Sequence, residues 1–405
     1  MPDAAVPDRH RSGEAGFRAV SVALFAAGLA TFMLLYATQP LLPELARDFD
    51  VPPAASSLTL AASTAGLGLS LLWAGWLSDA IGRVPVMRWS LVVAGVLALA
   101  CAAAPSFPVL VVLCFLKGVA LAGLPAVGMA YMAEEVDPMS LGTSVGLYVG
   151  GNAIGGMSGR IVAGALSDVG GWRLALAGVG VLGLACALLF ARLVPASVHF
   201  QQRAFVLREL GARLRGHLTE PGLLRLDAMG ALLMGTFVAV YNALGFRLSA
   251  PPFDLGPAAI GAVFLIYTVG SASSATAGRL ADRLGRRLVL PLSVLLTGAG
   301  LALTLSGSLV VIIVGVALLT AGFFAGHSVA SSWVGRRARR APSQASALYL
   351  LAYYAGSSLA GPAAGAAWTH EGWGGVVVLC GVLLVLALIV SLRLRATPPL
   401  AVAAS

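Results

Sequence analysis

Four ionisable residues are isolated inside long apolar stretches of the sequence: Lys117, Arg160, Asp227 and His327. Histidine titrates near neutral pH, and a carboxyl group shielded from water can exchange protons in a similar range, so Asp227 and His327 could together load and release a proton. The two cations would favour a neutral or anionic ligand. We predict that these four residues couple proton or solute binding to function. The structural alternatives are snorkelling or an ion pair for Lys117, and pairing with Asp168 or a helix C-terminus for Arg160. For Asp227 and His327 they are a hydrogen-bonded helix-packing pair or two unrelated residues.

Aromatic and amide side chains in the same apolar stretches could contact an amphipathic solute. Such a solute needs aromatic faces and a few hydrogen-bonding groups in an otherwise apolar cavity. Each of these side chains is equally suited to helix packing or to the aromatic belt at a membrane surface. The predicted cavity residues are Tyr36, Gln39, Phe237, Tyr241, Asn242, Tyr353 and Tyr354.

The composition identifies the environment that must position these residues. Of 405 residues, 59% are hydrophobic and 11% are charged, whereas soluble globular chains have about 45–50% apolar and 25% charged residues. So few charges cannot coat a water-soluble enzyme of this length. The sequence also contains many uncharged stretches of about 20 residues, the length of a helix that crosses a bilayer. The chain is therefore predicted to be an all-α, polytopic membrane protein.

Breaks at proline, glycine and serine divide these stretches into twelve predicted transmembrane helices. The first is expected to remain in the mature chain, because no small-residue cleavage site precedes the acidic segment 44–50. The predicted helices cover about residues 19–39, 56–77, 86–104, 109–132, 141–166, 172–191, 223–246, 257–278, 288–306, 309–334, 343–368 and 374–392.

The basic residues are distributed unevenly among the connecting segments. If the N-terminus is cytoplasmic, 21 of the 26 Lys and Arg residues fall on the cytoplasmic side, and only Arg47, Arg173 and Arg247 fall on the outer side. In this positive-inside pattern, basic loops remain in the cytoplasm beside anionic lipid. Both termini are therefore predicted to be cytoplasmic. The net charge of +9 is explained without a nucleic-acid partner.

The sequence carries no pattern for a metal, a nucleotide or a catalytic group. All four cysteines fall within predicted helices without ligand spacing and are interpreted as small packing residues. The GxGxxG pattern at 178–183 lies inside a helix, and there is no phosphate-binding loop, so neither a dinucleotide cofactor nor ATP is expected. His327 and Ser328 lack a third catalytic partner, which argues against an intramembrane enzyme. A receptor would need a signalling domain, for which the predicted tails are too short.

The two halves of the sequence share repeated elements. Residues 75–83 match residues 278–286 at an offset of 203, and a second set, including Gly155 with Gly356 and Trp172 with Trp373, matches at an offset of 201. Duplicated units with an even number of helices insert the same way round, so a pseudo-two-fold axis along the membrane normal relates them. We predict six-helix bundles over 19–194 and 223–393. They are joined by a cytoplasmic linker over 195–222 and flanked by cytoplasmic tails over 1–18 and 394–405.

The repeated element follows the second and eighth predicted helices and reads GWLSDAIGR and GRLADRLGRR. It resembles the GxLaDrxGrr signature of the major facilitator superfamily of secondary transporters, and this resemblance extends over essentially the whole chain. The resemblance implies a latch that holds one face of the transporter closed and opens in each transport cycle. The alternative is that the element only fixes the orientation of the chain in the membrane and takes no part in transport. The first copy lacks the second basic residue of the signature, whose role Arg88 would have to share. The predicted latch residues are Gly75, Asp79, Gly82, Arg83, Gly278, Asp282, Gly285, Arg286 and Arg287.

The fifth predicted helix resembles the antiporter motif of this superfamily, although Gly156 stands at its proline position and Arg160 at its last glycine. That motif accompanies export in exchange for protons, so the match favours efflux. The resemblance also places helices 1, 4, 7 and 10 around a central cavity. On helix 4, Cys114 stands where relatives carry an arginine, and Lys117-Gly118 where they carry Gln-Gly. The matching glycines of the antiporter motif are Gly142, Gly151, Gly155 and Gly159.

Residues 241–242 and 323–335 are similar to a bacterial inner-membrane branch described as arabinose-efflux-permease-like. We therefore expect a secondary transporter of the bacterial cytoplasmic membrane that exports a small organic or amphipathic solute by proton antiport. The alternative is uptake or facilitated transport of a sugar or another small metabolite. No carboxylate is predicted at mid-membrane, unlike in many proton-coupled relatives. The expected partners are the substrate, protons and the lipid bilayer, and a monomer is the usual state of the superfamily.

Overall fold

The computed structural model describes residues 9–202, 216–338, 342–395 and 397. Residues 1–8 of the predicted N-terminal tail, 203–215 of the predicted linker, and 396 and 398–405 of the predicted C-terminal tail lie outside the described residues, as do residues 339–341. The described part is helical and contains no β-strand, although an isolated bridge joins His10 to Val136. The predicted all-α fold class is confirmed.

Apolar segments of this length form helices because a backbone in lipid must satisfy its own hydrogen bonds. Among the described helices, four begin with proline, which suits the first helical position. Two short 3₁₀ turns cover Gln39–Leu41 and Val263–Ile266. The helices are α1 (Ala15–Tyr36), α2 (Leu42–Asp48), α3 (Pro53–Ser56), α4 (Leu58–Ile81), α5 (Arg83–Ala102), α6 (Phe107–Leu121), α7 (Gly123–Glu135), α8 (Leu141–Leu193), α9 (Pro221–Ser249), α10 (Pro257–Ala262), α11 (Tyr267–Leu284), α12 (Arg286–Leu303), α13 (Leu309–Arg337) and α14 (Pro342–Arg395).

In the part of the chain that the structure describes, ten helical stretches are long and apolar enough to cross a membrane. Eight of them each cover one of the predicted segments. The other two, α8 with 53 residues and α14 with 54, each cover two. Both long helices are interrupted by glycines with non-helical backbone angles, at Gly170 and Gly171 in α8 and at Gly372 in α14. The positive φ of 74° at Gly171 and 58° at Gly372 favours glycine, because a side chain would be strained there. The count of twelve crossings therefore depends on these two breaks.

The described residues form two compact units. The first contains residues 9–49, 62–202 and 256–262, and the second contains residues 50–61, 216–255, 263–338 and 342–395. In the first unit, α10 packs on α8, where a Cβ at Gly164 would meet the Pro257 carbonyl. In the second unit, α3 packs on α14, where a Cβ at Gly365 would lie 2.5 Å from the Ala54 nitrogen. The bundle boundaries predicted from the duplication stay predictions.

Three glycines of the antiporter-like motif bring the backbones of α1 and α8 into contact. A Cβ at Gly151 would meet the Phe25 carbonyl, and one at Gly155 would meet the Leu29 carbonyl, four residues further along both helices. At the next step, a Cβ at Gly159 would lie 2.7 Å from Met33 Cα. Glycines at this spacing let two membrane helices approach closely. The fourth matching glycine, Gly142, has no atom within 4 Å of its Cβ position.

The second unit repeats this kind of packing between α9 and α14. A Cβ at Gly356 would meet the Ala231 carbonyl, and one at Gly235 would lie 3.2 Å from the Gly356 carbonyl. Gly356 is also the position that matches Gly155 in the duplication. The repeat in the sequence therefore corresponds to a repeated backbone contact.

Replacing Gly155 by alanine should destabilise the protein by about 1–3 kcal/mol, because the added methyl group would overlap backbone that moves only with the whole of α1. Gly146→Ala on the same helix is the matched control, since no atom lies within 4 Å of its Cβ position and alanine is the better helix former by about 1 kcal/mol. Thermal unfolding of both purified variants in one detergent, followed by tryptophan fluorescence, measures the difference. Equal unfolding midpoints would contradict the packing.

Candidate functional site

One buried guanidinium organises the first copy of the repeated loop element. Arg83, the first residue of α5, donates to the Asp79 carboxylate at 2.5 Å and to Ser78 Oγ at 2.7 Å. It also donates to both carboxylate oxygens of Glu134, near the end of α7, with the shortest distance 2.8 Å. Its side chain is 8% exposed, and the Phe200 ring centroid lies 5.2 Å from its Cζ. A single side chain thus joins α4, α5 and α7.

The second copy of the loop element is looser and more exposed. Asp282 lies 3.3 Å from Arg286 and 3.7 Å from Arg336, and its side chain is 65% exposed. Arg287 donates instead to the Thr397 carbonyl at 2.6 Å. In the first copy, Arg88 likewise lies outside the carboxylate network and donates to the Ala191 carbonyl at 3.0 Å; the expectation that Arg88 shares the role of the missing basic residue stays a prediction.

The glycines of the two loop elements have different surroundings. Gly82 and Gly285 each lie in a turn between two helices, with φ values of 101° and 85°. Residues other than glycine rarely adopt this backbone conformation. No atom lies within 4 Å of a Cβ position at Gly75 or Gly278, and nothing in the structure explains the choice of glycine at these two positions.

Arg160 lies at the centre of a buried polar cluster in the first unit. Its side chain donates to Gln39 Oε1 at 2.6 Å and to the Gly156 carbonyl, and its Cζ lies 4.1 Å from the Tyr36 ring centroid. The residue is 2% exposed. A cation stacked on an aromatic face is stabilised by the ring quadrupole, more strongly when water is excluded. Two predicted cavity residues and one predicted coupling residue therefore meet at one place.

Asp168, the alternative partner of Arg160, has a different contact. Its carboxylate accepts a hydrogen bond from the Ala258 amide at 3.1 Å, at the start of α10. Lys117, the other buried cation of this unit, is 1% exposed. Within the described part of the chain, Lys117 forms no ion pair with a carboxylate.

Asp227 and His327 each lie beside another titratable side chain in the second unit. Asp227 Oδ2 lies 2.6 Å from His217 Nε2, and His327 Nδ1 lies 2.9 Å from the Tyr349 hydroxyl. Tyr349 and Asp227 interact electrostatically, and the Tyr349 ring fits against α9 because position 230 is Gly230, where a Cβ would lie 2.8 Å from the ring. Asp227 and His327 therefore have different hydrogen-bonding partners, which corrects the sequence-based expectation that the two residues pair with each other.

Sequence reasoning did not identify His217 and Tyr349. His217 precedes Asp227 by ten residues, outside any predicted helix, so helical spacing could not relate them. The only signal for Tyr349 was its place in the duplication, where Leu348-Tyr349 matches Leu147-Tyr148.

A continuous aromatic cluster in the second unit contains four of the predicted cavity residues. At its centre the Phe237 and Phe323 rings stack with centroids 3.9 Å apart, and the Tyr241 ring lies 4.8 Å from Phe237. The Tyr241 hydroxyl and Thr320 Oγ1 are 2.8 Å apart. His327 joins the cluster through Tyr353, with ring centroids 4.8 Å apart. The members of the aromatic cluster are Phe237, Tyr241, Phe264, Tyr267, Phe323, Phe324, His327, Tyr349, Tyr353 and Tyr354.

Asn242, the remaining predicted cavity residue of the second unit, is buried. It lies against α14, where a Cβ at Gly361 would be 2.9 Å from the Asn242 side-chain nitrogen. Glycine at position 361 therefore leaves room for this amide.

The family model described as Major Facilitator Superfamily matches residues 24–250 and 228–404. The chain belongs to this superfamily. It is 46% identical over 378 residues to the MFS-type transporter YybF of Bacillus subtilis, covering 93% of this chain and 94% of the relative. It is 45% identical over 385 residues to the inner membrane transport protein YnfM of Escherichia coli, covering 95% and 92%. The chain is therefore a multi-pass membrane transporter and not an enzyme, as predicted.

Solved structures of superfamily members share the fold at low sequence identity. A bacterial homologue of the human lysosomal transporter Spinster superposes with a TM-score of 0.77 at 15% identity, covering 94% of this chain and 97% of that structure. The xylose transporter XylE of Escherichia coli superposes with a TM-score of 0.73 at 14% identity, covering 93% and 97%. These similarities show the fold in which the polar clusters lie.

A further ion pair of this transporter joins the start of α9 to the end of α13. Arg337 donates to the two carboxylate oxygens of Glu220 at 2.6 and 2.9 Å. Glu220 also accepts from the amides of Gly222 and Leu223 and so caps α9. Burial raises the pKa of Glu220, but the hydrogen bonds from Arg337 and from the two amides outweigh burial and hold the pKa below its usual range. A Cβ at Gly222 would collide with the Arg337 guanidinium, so glycine is needed beside this pair.

Arg83→Ala should destabilise the protein by about 1.5–3 kcal/mol, the range for lost hydrogen bonds to charged groups. The matched variant in the second copy, Arg286→Ala, should cost less than about 1 kcal/mol, because its ion pair is exposed. Chemical unfolding of the two variants in detergent tests this difference. A double-mutant cycle between positions 83 and 134 should give a coupling energy of about 0.5–3 kcal/mol, and a value near zero would show that the Arg83 network contributes no stability.

Glu220→Gln should lower stability at pH 7 by about 1.5–3 kcal/mol, since Arg337 then loses its carboxylate partner. Because the pKa of Glu220 is lowered in the folded state, the stabilisation by the Glu220–Arg337 pair is fully present above the ordinary carboxyl pKa of about 4.3. The wild type loses this stabilisation as the pH falls through the lower folded-state pKa. The stability curves of wild type and variant should therefore converge in acid. Exposed Glu371→Gln is the control, and a constant difference between wild type and Glu220→Gln across this pH range would contradict the assignment.

Proposed function

We propose that this transporter exports a small organic or amphipathic solute across the bacterial inner membrane in exchange for protons, by alternating access. The observation that carries this proposal is the pairing of two titratable residues of the second unit, Asp227 with His217 and His327 with Tyr349. These groups hold exchangeable protons and lie in one unit, in part inside membrane-spanning helices.

Asp227 is suited to proton coupling by its depth and its partner. It lies six residues beyond the start of α9, about 9 Å along the helix at 1.5 Å per residue. A charge at such a position is costly without a partner, so gain or loss of a proton changes the stability of the contact with His217. Protonation would thereby favour one arrangement of the surrounding helices over another.

The arrangement of aromatic and cationic groups supports a neutral or anionic amphipathic substrate. The aromatic cluster offers faces for apolar and planar groups, with Tyr241, Asn242 and Tyr353 as hydrogen-bonding members at or beside it. In the first unit, Arg160 offers a buried cation held by Gln39 and Tyr36. We assign Lys117 the same role as Arg160, namely to favour such solutes over cations.

The latch role of the loop elements is part of the same proposal. Arg83, Asp79 and Glu134 would hold one face closed, and their contacts would break in each transport cycle. The second copy, with Asp282, Arg286 and Arg287, would contribute less because its ion pairs are longer and exposed.

The proposed orientation places both termini in the cytoplasm. It is supported by the positive-inside distribution of basic residues and by the name of the relative YnfM, an inner membrane transport protein. We further propose a monomer. The proposal of export rests on the resemblance of α8 to the antiporter motif, because buried proton-exchanging groups suit import and export alike.

Everted membrane vesicles with a pH gradient test the proposed function. A panel of organic acids, sugars and neutral amphipathic compounds is added, and a transported compound should collapse the gradient. Asp227→Asn should reduce this proton flux by roughly tenfold or more, which is about 1.4 kcal/mol in the barrier. Counterflow exchange of the same radiolabelled compound, which needs no net proton movement, should persist in the variant.

Glu371→Gln is the control for the transport assay, because this carboxylate is exposed. Gradient-independent uptake of solute in whole cells, without any compound that collapses the gradient, would replace antiport by facilitated transport. Equal loss of flux and counterflow in Asp227→Asn would assign Asp227 to folding or solute binding.

A further inference from the structure

Two arginines from different helices meet at the end of α14 in the second unit. Arg225, near the start of α9, donates to the Thr397 hydroxyl at 2.6 Å, and Arg287, near the start of α12, donates to the Thr397 carbonyl at 2.6 Å. Arg225 also donates to the Arg393 carbonyl at 3.4 Å. Arg393 and Arg395, in the last turn of α14, are exposed. We call these four residues from three helices the arginine cluster.

The arginine cluster carries four positive charges without a protein counter-charge. Within the described residues, none of its guanidinium groups forms an ion pair with a carboxylate. The carboxylates nearest in the sequence, those of Glu220, Asp227 and Asp282, have other partners. Two cations that are held against the same residue repel each other, and an anion bound between them would remove this repulsion. The cluster is therefore suited to binding an anion.

Exposed apolar side chains lie directly beside the arginine cluster. Three of its arginines each have an exposed leucine as a neighbour in the sequence, and further exposed apolar residues, Leu292 and Ile389, follow on α12 and α14. Both helices are apolar enough to cross the membrane, so these side chains suit contact with lipid. An anion dissolved in water would gain nothing from such a surface. The three leucines are Leu224, Leu288 and Leu392, next to Arg225, Arg287 and Arg393.

The first unit has a simpler arrangement at the corresponding place. Arg192, near the end of α8, matches Arg393 at an offset of 201, and Arg88 donates to the Ala191 carbonyl. Within the described residues, Arg88 is the one arginine side chain that donates to the end of α8, whereas two arginines meet at the end of α14. The convergence of cations is therefore a feature of the second unit.

We propose that the arginine cluster binds the phosphate group of one anionic phospholipid, whose acyl chains lie along the exposed leucines. Guanidinium groups bind phosphate oxygens through charge-assisted, often paired hydrogen bonds. A basic pocket between membrane helices, with apolar side chains beside it, matches both parts of such a lipid. The bound lipid would neutralise the cluster and join the ends of α9, α12 and α14. The proposal is independent of the direction and the coupling of transport.

Native mass spectrometry of the purified, delipidated full-length protein tests this site. Dioctanoyl phosphatidylglycerol, an anionic phospholipid with short chains, is titrated in detergent, and the bound molecules are counted. Arg225→Gln should weaken binding of the first lipid about fivefold, which is about 1 kcal/mol, the contribution of one arginine near an anionic membrane. Arg225→Gln/Arg287→Gln should weaken it about 25-fold. The matched control Arg279→Gln/Arg283→Gln removes the same charge from exposed residues of α11 and should bind as wild type does.

Arg393→Gln/Arg395→Gln tests the site without disturbing the contacts of Thr397, because both side chains are exposed. This variant should weaken lipid binding at least fivefold. Size-exclusion profiles identify variants that fail to fold, and only folded variants are compared. Equal affinity of this variant and the α11 control would overturn the proposal.

Two further ligands separate the contributions of charge and acyl chain in the wild type. Dioctanoyl phosphatidylcholine has the same chains without net charge, and glycerol phosphate has the anionic group without chains. Each should bind at least tenfold more weakly than dioctanoyl phosphatidylglycerol. Equal binding of glycerol phosphate would assign the cluster to a soluble anion, and equal binding of phosphatidylcholine would assign it to lipid contact without charge selection. Either result would overturn the proposal.

Discussion

An ionised side chain inside a bilayer-spanning helix costs about 2.5–3.5 kcal/mol on insertion scales, and this cost governs the polar clusters of this transporter. Arg160 is stacked on Tyr36 and hydrogen-bonded to Gln39. Arg83 lies between carboxylates of two other helices, and Asp227 lies against a histidine of the preceding segment. Breaking such a pair leaves an uncompensated charge. A change in the charge of one of these side chains is therefore linked to a movement of the segments that carry its partners. Alternating access needs such a link.

Glycine determines where those partners can meet. The contacts of Gly151, Gly155 and Gly159 with α1 hold the two helices at backbone distance. Arg160 follows directly after the last of these glycines, so the same packing brings its side chain to Tyr36 on α1. The antiporter-like motif therefore has a physical role that does not depend on the direction of transport. It fixes the position of a buried cation.

The duplication conserves helix packing while the charges diverge. Glu135 at the end of α7 accepts hydrogen bonds from Ser197 and from His199. In the second half of the chain, Arg337 at the end of α13 donates to Glu220. Each position anchors a segment beyond the predicted bundle helices, the first with an acid and the second with a base.

The sequence by itself determined the fold class, the helix positions and the superfamily. Apolar length and charge distribution are properties of the linear chain, and lipid permits few backbone structures. Only the tertiary structure decided that Gln39 is the partner of Arg160, 121 residues away, and that Arg225 and Arg287 meet at Thr397. Such contacts depend on how helix surfaces fit in three dimensions, and no periodicity along the chain records that fit.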